Sequence, residues 1–241
     1  MLLVPPTGTS LDHPVLARRV FAETLGSVLL SAVVIGSGIA AQSLSPHVIG
    51  LELFENAAAT AGGLYVLILM MGPVSGAHFN PIVTLVDAAT GGLKWRDVPW
   101  YVGAQVAGCV GGAMVANLMF SRASISIATH HRASIAHLFA EVVASAGLIL
   151  VIFSLSRSGR GPLCASAVAT YIGAAYFFTS STSFANPAIT VARMFSDSFA
   201  GIAPASVAGF IVAELIGAAV GCLAVVALYP HAPRMLHELE S

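Results

Sequence analysis

Long apolar runs alternate with short polar breaks along this chain. Runs near 18–41, 57–75, 98–120, 134–155, 163–182 and 205–228 each approach the roughly 20 residues that carry a helix across a bilayer. They are continuous and do not alternate over about ten residues, which excludes a membrane-spanning β-barrel. The first run is too long for a cleaved leader, and no small-residue cleavage site with a polar start follows it. Two shorter apolar stretches, 80–90 and 186–196, remain. Each makes about 16 Å of helix, so neither crosses alone, but end to end they cover the roughly 30 Å hydrocarbon core. Both open with Asn-Pro, at Asn80-Pro81 and Asn186-Pro187. Asparagine is a strong helix N-cap and proline suits the first helical turn, so both stretches read as half-helices that begin at their asparagines.

The chain also repeats itself. FAETLGSVLLSAVVI (21–35) matches FAEVVASAGLILVIF (139–153), with Glu23 against Glu141. FNPIVTLVD (79–87) matches ANPAITVAR (185–193), and VGAQVAGCVGG (102–112) matches IVAELIGAAVG (211–221), with Gln105 against Glu214. The order is kept and only loop lengths differ. Each half holds three spans, an odd number, so the repeats are inverted in the membrane. Such an architecture places its functional site near the midplane, at the repeat interface.

Composition agrees. Of 241 residues, 57% are hydrophobic and 9% charged, against about 25% charged in soluble domains, and the mean hydropathy is +0.88. This is an integral membrane protein. A net charge of −1 with no basic stripe excludes a nucleic-acid binder. Cys109, Cys164 and Cys222 lie in or at the ends of apolar runs and do not form a disulfide framework. Arg18, Arg19, Lys94, Arg96, Arg157, Arg160 and Arg234 fall on one side of a six-span topology, and Arg122, Arg132 and Arg193 on the other. The positive-inside rule then puts both termini in the cytoplasm. No metal-ligand cluster and no nucleophile–base pair stands at a convincing spacing, so the reading includes no cofactor, metal or catalysis. His130-His131 reads as a solvated pair in the outer loop.

The paired SGAHFNPIVT (75–84) and SFANPAIT (183–190) resemble the two Asn-Pro-Ala boxes of the aquaporin/aquaglyceroporin (major intrinsic protein) family, over essentially residues 15–229. The first box departs from the pattern, with Ile82 where the second has Ala188. The resemblance implies an all-α membrane fold of six transmembrane helices plus two re-entrant half-helices, a homotetramer with one pore per subunit. It makes 15–229 one channel domain, with repeat one at 15–120 and repeat two at 134–229. Residues 1–14 and 230–241 are then cytoplasmic tails, the first of them flexible. The expected home is a bacterial inner membrane. Asn80 and Asn186 would meet at the midplane and donate to a solute oxygen, while two half-helix N-termini, each worth about +0.5 charge, oppose cations. In the family, glutamates equivalent to Glu23 and Glu141 accept hydrogen bonds from the re-entrant loops. Gln105 and Glu214 read as interhelical hydrogen-bond glue, with glycine clusters letting backbones approach. His78 is placed in the loop or the cytoplasmic vestibule.

Distance from the two asparagines places the family's outer filter at Thr60, Ala174, Ser183 and Ile189, with Gly173 and Ala175 as alternatives for the second position. Water-selective members carry an aromatic, a histidine and an arginine there. Here the aromatic position is Thr60, the histidine position Ala174 and the arginine position Ile189, so the expectation is a wide, mostly apolar mouth. Arg193, one turn beyond Ile189 on the same face, either leans back toward the filter or pairs with Asp197. Residues 121–133 are a possible cap over the mouth. FANPAITVARMFSDSFAGI (184–202) also resembles bacterial channels found with arsenic-resistance functions. The implied function is a passive channel for water and small uncharged solutes, glycerol and metalloid hydroxides such as arsenite among them. The alternative is an ion-coupled transporter that uses Glu23, Glu141 or Glu214 as intramembrane acids.

Overall fold

The computed structural model describes residues 14–230. The parts of the two expected tails at 1–13 and 231–241 lie outside the described residues. Eight α-helices follow in order: α1 (Leu16–Leu44), α2 (Ile49–Ser75), α3 (Pro81–Ala89), α4 (Val98–Met119), α5 (Ile135–Arg157), α6 (Cys164–Phe178), α7 (Pro187–Ala192) and α8 (Pro204–Leu228). Short 3-10 turns precede α4 and α6 and follow α7. Among the described residues, six helices are long and apolar enough to cross a membrane. α3 and α7 are the two half-helices, and the fold is all-α.

Two spans differ from the sequence reading. α2 starts at Ile49, not 57, because its polar first turns find partners on α1 and the loop before it. Asn56 Nδ2 donates to Val34 O and Ser37 Oγ, both at 2.8 Å, and Ser45 Oγ lies 2.6 Å from Glu55 Oε1. α6 stops at Phe178, not 182. Thr179 leaves the helix in an extended conformation, and Thr182 and Ser183 then take positive φ values of 64° and 50°, which no α-helix tolerates.

The repeat is visible in the packing. On α4, a Cβ at Gly108 would stand 2.6 Å from Thr24 O of α1, and one at Gly112 2.2 Å from Val28 O. On α8, a Cβ at Gly217 would stand 2.5 Å from Val142 O of α5, and one at Gly221 2.6 Å from Ala146 O. The glycine pairs are 109 positions apart, and the carbonyls they approach 118. α1·α4 and α5·α8 are therefore the same close helix pair built twice. α2 packs on α6 between them, and each half-helix packs against α4 and α8. Large apolar side chains such as Phe21, Leu69, Val212 and Leu223 are exposed on the outside. Glu23, Asn56, Gln105, Glu141 and Glu214 are buried inside. That inside-out distribution fits a lipid surround.

Candidate pore on two opposed half-helices

Each asparagine fixes its own half-helix and clasps the opposite loop. Asn80 Oδ1 accepts from Ile82 N at 3.1 Å, and its Nδ2 donates to Ala185 O at 2.7 Å. Asn186 Oδ1 accepts from Ala188 N at 3.0 Å and Ile189 N at 3.4 Å, and its Nδ2 donates to Phe79 O at 2.8 Å. Pro81 and Pro187 occupy the first helical positions, where no N–H is needed. Ile82 is fully buried beside the junction. An amide NH2 has two donors. The clasp uses one per asparagine and leaves one.

The loops that present these carbonyls are strained in the same way twice. Gly76, Ala77 and Phe79 have φ of 89°, 52° and 48°, and Thr182, Ser183 and Ala185 have 64°, 50° and 45°. All three pairs share the 106-residue offset of the asparagines. Left-handed conformations cost non-glycine residues about 1–2 kcal/mol each, so something must hold them. Glu23 accepts from Ser75 Oγ (2.6 Å), His78 N (3.0 Å), Phe79 N (2.7 Å) and Gln105 Nε2 (2.8 Å). Glu141 accepts from Phe184 N (2.9 Å) and Ala185 N (2.8 Å). Gln105 also donates to Thr84 of α3 at 2.9 Å. Glu214 accepts from Asn186 N (3.1 Å) and Thr190 Oγ1 (2.6 Å), at the matching place on α7.

A cavity of about 780 Å³ runs through this junction. Arg19, His78, Asp87 and Tyr101 line one end, Asn80 and Asn186 the middle, and Thr60, Tyr176, Ser183, Ile189, Phe184 and Arg193 the other. Thr60, Ser183 and Ile189 thus fall together, as their spacing predicts. Ala174 does not join them, being exposed. The cavity-lining residues of α6 are Cys164, Ala165, Val168, Ile172 and Tyr176. Ala174 stands about 200° around the helix from Ile172. Counting back from Asn186 through the irregular 179–186 loop loses the helical register. Tyr176 lines the cavity instead, its hydroxyl 3.2 Å from Thr60 Oγ1. The periodic face 165, 168, 172, 176 was the signal that could have found it. This end of the cavity therefore also carries a phenol.

Arg193 does not pair with Asp197, whose carboxylate accepts from Thr129 N (3.0 Å) and Thr129 Oγ1 (3.1 Å). It lies buried against the cavity, with Nε donating to Ala200 O and Cζ 3.5 Å from the Phe184 ring centroid. The 121–133 loop is pinned to the stretch after α7 by Ser126 N to Phe195 O (3.1 Å) and Ala128 N to Met194 O (2.8 Å). Arg132 adds bonds to Phe199 O and Gly201 O. No residue of this loop lines the cavity. His78 sits at the other end with Nδ1 3.1 Å from Thr84 Oγ1 and Nε2 3.5 Å from Asp87 Oδ2.

Two half-helices that meet at their N-termini, inside an inverted repeat of six spans and on a continuous cavity, define a membrane channel. Comparison with known proteins names its kind. Residues 10–185 match the major intrinsic protein family. The chain is 46% identical to the aquaglyceroporin AqpS of Rhizobium meliloti (strain 1021) over 203 residues, 84% of this chain and 86% of that one. It is 32% identical to aquaporin NIP6-1 of Arabidopsis thaliana, over 65% of this chain and 52% of the relative. The aquaglyceroporin of Plasmodium falciparum shares the fold at a TM-score of 0.69 and 19% identity, covering 89% of this chain and 98% of that one. The chain belongs to the major intrinsic protein family.

Proposed function

We propose that this chain is a passive channel through which water and glycerol-sized uncharged solutes move down their own gradients, metalloid hydroxides such as arsenite among them. The observation that carries the reading is the bonding of Asn80 and Asn186. Each amide is locked by its own helix and the opposite loop, with one N–H left at the cavity. A solute that gives up its water there regains donors, which offsets the cost of an unpaired polar group. The opposed N-termini make the same point electropositive and hostile to cations. No step needs chemistry, and the family is one of channels, not enzymes.

Glu23 and Glu141 hold the loops in this reading. Thr60, Tyr176, Ser183 and Ile189 form the filter, and His78 lines the vestibule at the opposite end. Hydroxyls from Thr60 and Tyr176 suit a solute that is itself all hydroxyl. The relative named an aquaglyceroporin supports glycerol as cargo. The cationic bias of the loops supports cytoplasmic termini in a bacterial plasma membrane. One complete cavity per chain fits a homotetramer of independent pores.

Swelling of proteoliposomes by stopped-flow light scattering tests this. Glycerol and arsenite are expected to enter with no ion gradient. Uptake that requires a proton or sodium gradient would instead establish a coupled transporter and overturn the reading.

A further inference from the structure

The arginine expected at a filter of this kind is Ile189 here, yet the filter end of the cavity is not without a cation. Arg193 is 1% exposed and lines the cavity beside Ile189 and Tyr176. A guanidinium carries five N–H donors. Nε uses one on Ala200 O, and the two terminal nitrogens hydrogen-bond to no described residue. Among the described residues, no carboxylate lies within ion-pair distance of it. An isolated charge is costly inside a membrane protein unless it faces a water-filled space. The Phe184 face, which supports the guanidinium at 3.5 Å, supplies cation–π attraction without consuming donors.

The placement is built into the repeat. Arg193 is seven residues after Asn186, and Phe184 two before it. In the first half, the same positions relative to Asn80 hold Asp87 and His78, which stand 3.5 Å apart and line the opposite end. In both halves the residue at the end of the half-helix leans back on the ring that precedes the asparagine. Phe184 is braced by Phe210, edge-on at 5.0 Å, and its backbone N–H is held by Glu141.

We propose that Arg193 is the filter cation of this channel, supplied from one helical turn beyond the position that Ile189 occupies. This rests on the channel reading above. Its terminal N–H groups donate to the oxygens of a neutral hydroxylated solute, opposite the Thr60 and Tyr176 hydroxyls. Its charge bars cations at the outer constriction, in series with the half-helix N-termini.

The test compares wild type, Arg193→Gln, Arg193→Lys and the double variant Arg193→Gln/Ile189→Arg in proteoliposomes. Glycerol swelling and sodium or proton leak are both recorded. Arg193→Gln is expected to raise cation leak about tenfold or more, since a buried unit charge is removed from the constriction. Arg193→Lys keeps exclusion, and the double variant restores it from the neighbouring turn. Unchanged leak and unchanged glycerol-to-water ratio in Arg193→Gln would overturn the proposal while leaving the channel reading intact. A wild type that passes neither solute would instead overturn the channel reading. If Arg193→Gln does not assemble, Phe184→Leu decides, because it keeps the charge but removes its support: raised leak supports the proposal, and wild-type exclusion and selectivity refute it.

Discussion

Glu23→Gln exchanges one carboxylate oxygen for an amino group and removes little volume. In the wild type, Oε1 takes Ser75 Oγ and His78 N, while Oε2 takes Phe79 N and Gln105 Nε2. Whichever way the new amide turns, one backbone donor, His78 N or Phe79 N, faces an NH2, whereas the Ser75 hydroxyl and the Gln105 amide can turn to accept from it. Each unsatisfied donor costs about 1–3 kcal/mol, so the local cost is about 1–3 kcal/mol. The damage crosses the midplane, because Phe79, once released, no longer aims its carbonyl at Asn186 Nδ2. Glu141→Gln is the matching test in the second half. Glu141 holds one backbone N–H on each oxygen, so a single donor is orphaned, for about 1–3 kcal/mol. Water and glycerol flux per inserted channel, with the unfolding midpoint in detergent, reads both variants. Glu23→Gln is expected to cut both fluxes tenfold or more, the factor that about 1.4 kcal/mol of distortion produces, and Glu141→Gln by a similar factor. Intact flux in either variant would refute the claim that these carboxylates hold the loops through their backbone N–H groups.

Tyr176→Ala removes the aromatic wall at the Thr60 end, and flux of four-carbon polyols is expected to rise relative to water. If that ratio stays fixed in swelling assays, the narrowest point lies elsewhere. Gly112→Ala forces a methyl to within 2.2 Å of Val28 O, whereas a Cβ at Gly103 meets nothing within 4 Å. The first is expected to destabilise by about 1–3 kcal/mol, and Gly103→Ala to leave the thermal midpoint unchanged or raised.

Much of the scaffold was legible because it rests on local rules. Asparagine is a strong N-cap and proline suits the first helical position, so α3 and α7 begin at the expected places. The paired glutamates and glycines recur at fixed offsets, so the repeat could be read before any packing was known. What escaped needed partners distant in sequence. Glu55 and Asn56 are too polar to be counted in an apolar span until Ser45 and α1 satisfy them. Tyr176 was hidden because counting back from Asn186 assumes a loop geometry that the Thr182–Ala185 backbone does not follow. The side chain of Arg193 had two partners in reach by spacing, Asp197 and the filter. Only the fold shows that Thr129 occupies Asp197 and that Phe184 offers its face.

The same device ends both half-helices, yet the charges it carries are opposite, and helix electrostatics treat them differently. α3 and α7 both point their negative C-terminal ends away from the junction. Arg193, just beyond the end of α7, gains from that dipole. Asp87, in the last turn of α3, is opposed by it, and its side chain is a quarter exposed. Asp87 is therefore not where a carboxylate would be put to stabilise the fold. Its contribution is the charge it presents at its own mouth, where it faces His78 at 3.5 Å. Asp87→Asn should then keep the unfolding midpoint or raise it, by at most the roughly 0.3–1 kcal/mol that such a dipole contact is worth. Water and glycerol flux should stay within about twofold, because the free amide donors of Asn80 and Asn186 are untouched and a neutral solute feels little of a distant charge screened by vestibule water. A fall in stability beyond that range, or a tenfold loss of neutral flux, would mean that the Asp87–His78 contact holds the first loop in place. The two ends of the pore would then differ in construction as well as in charge.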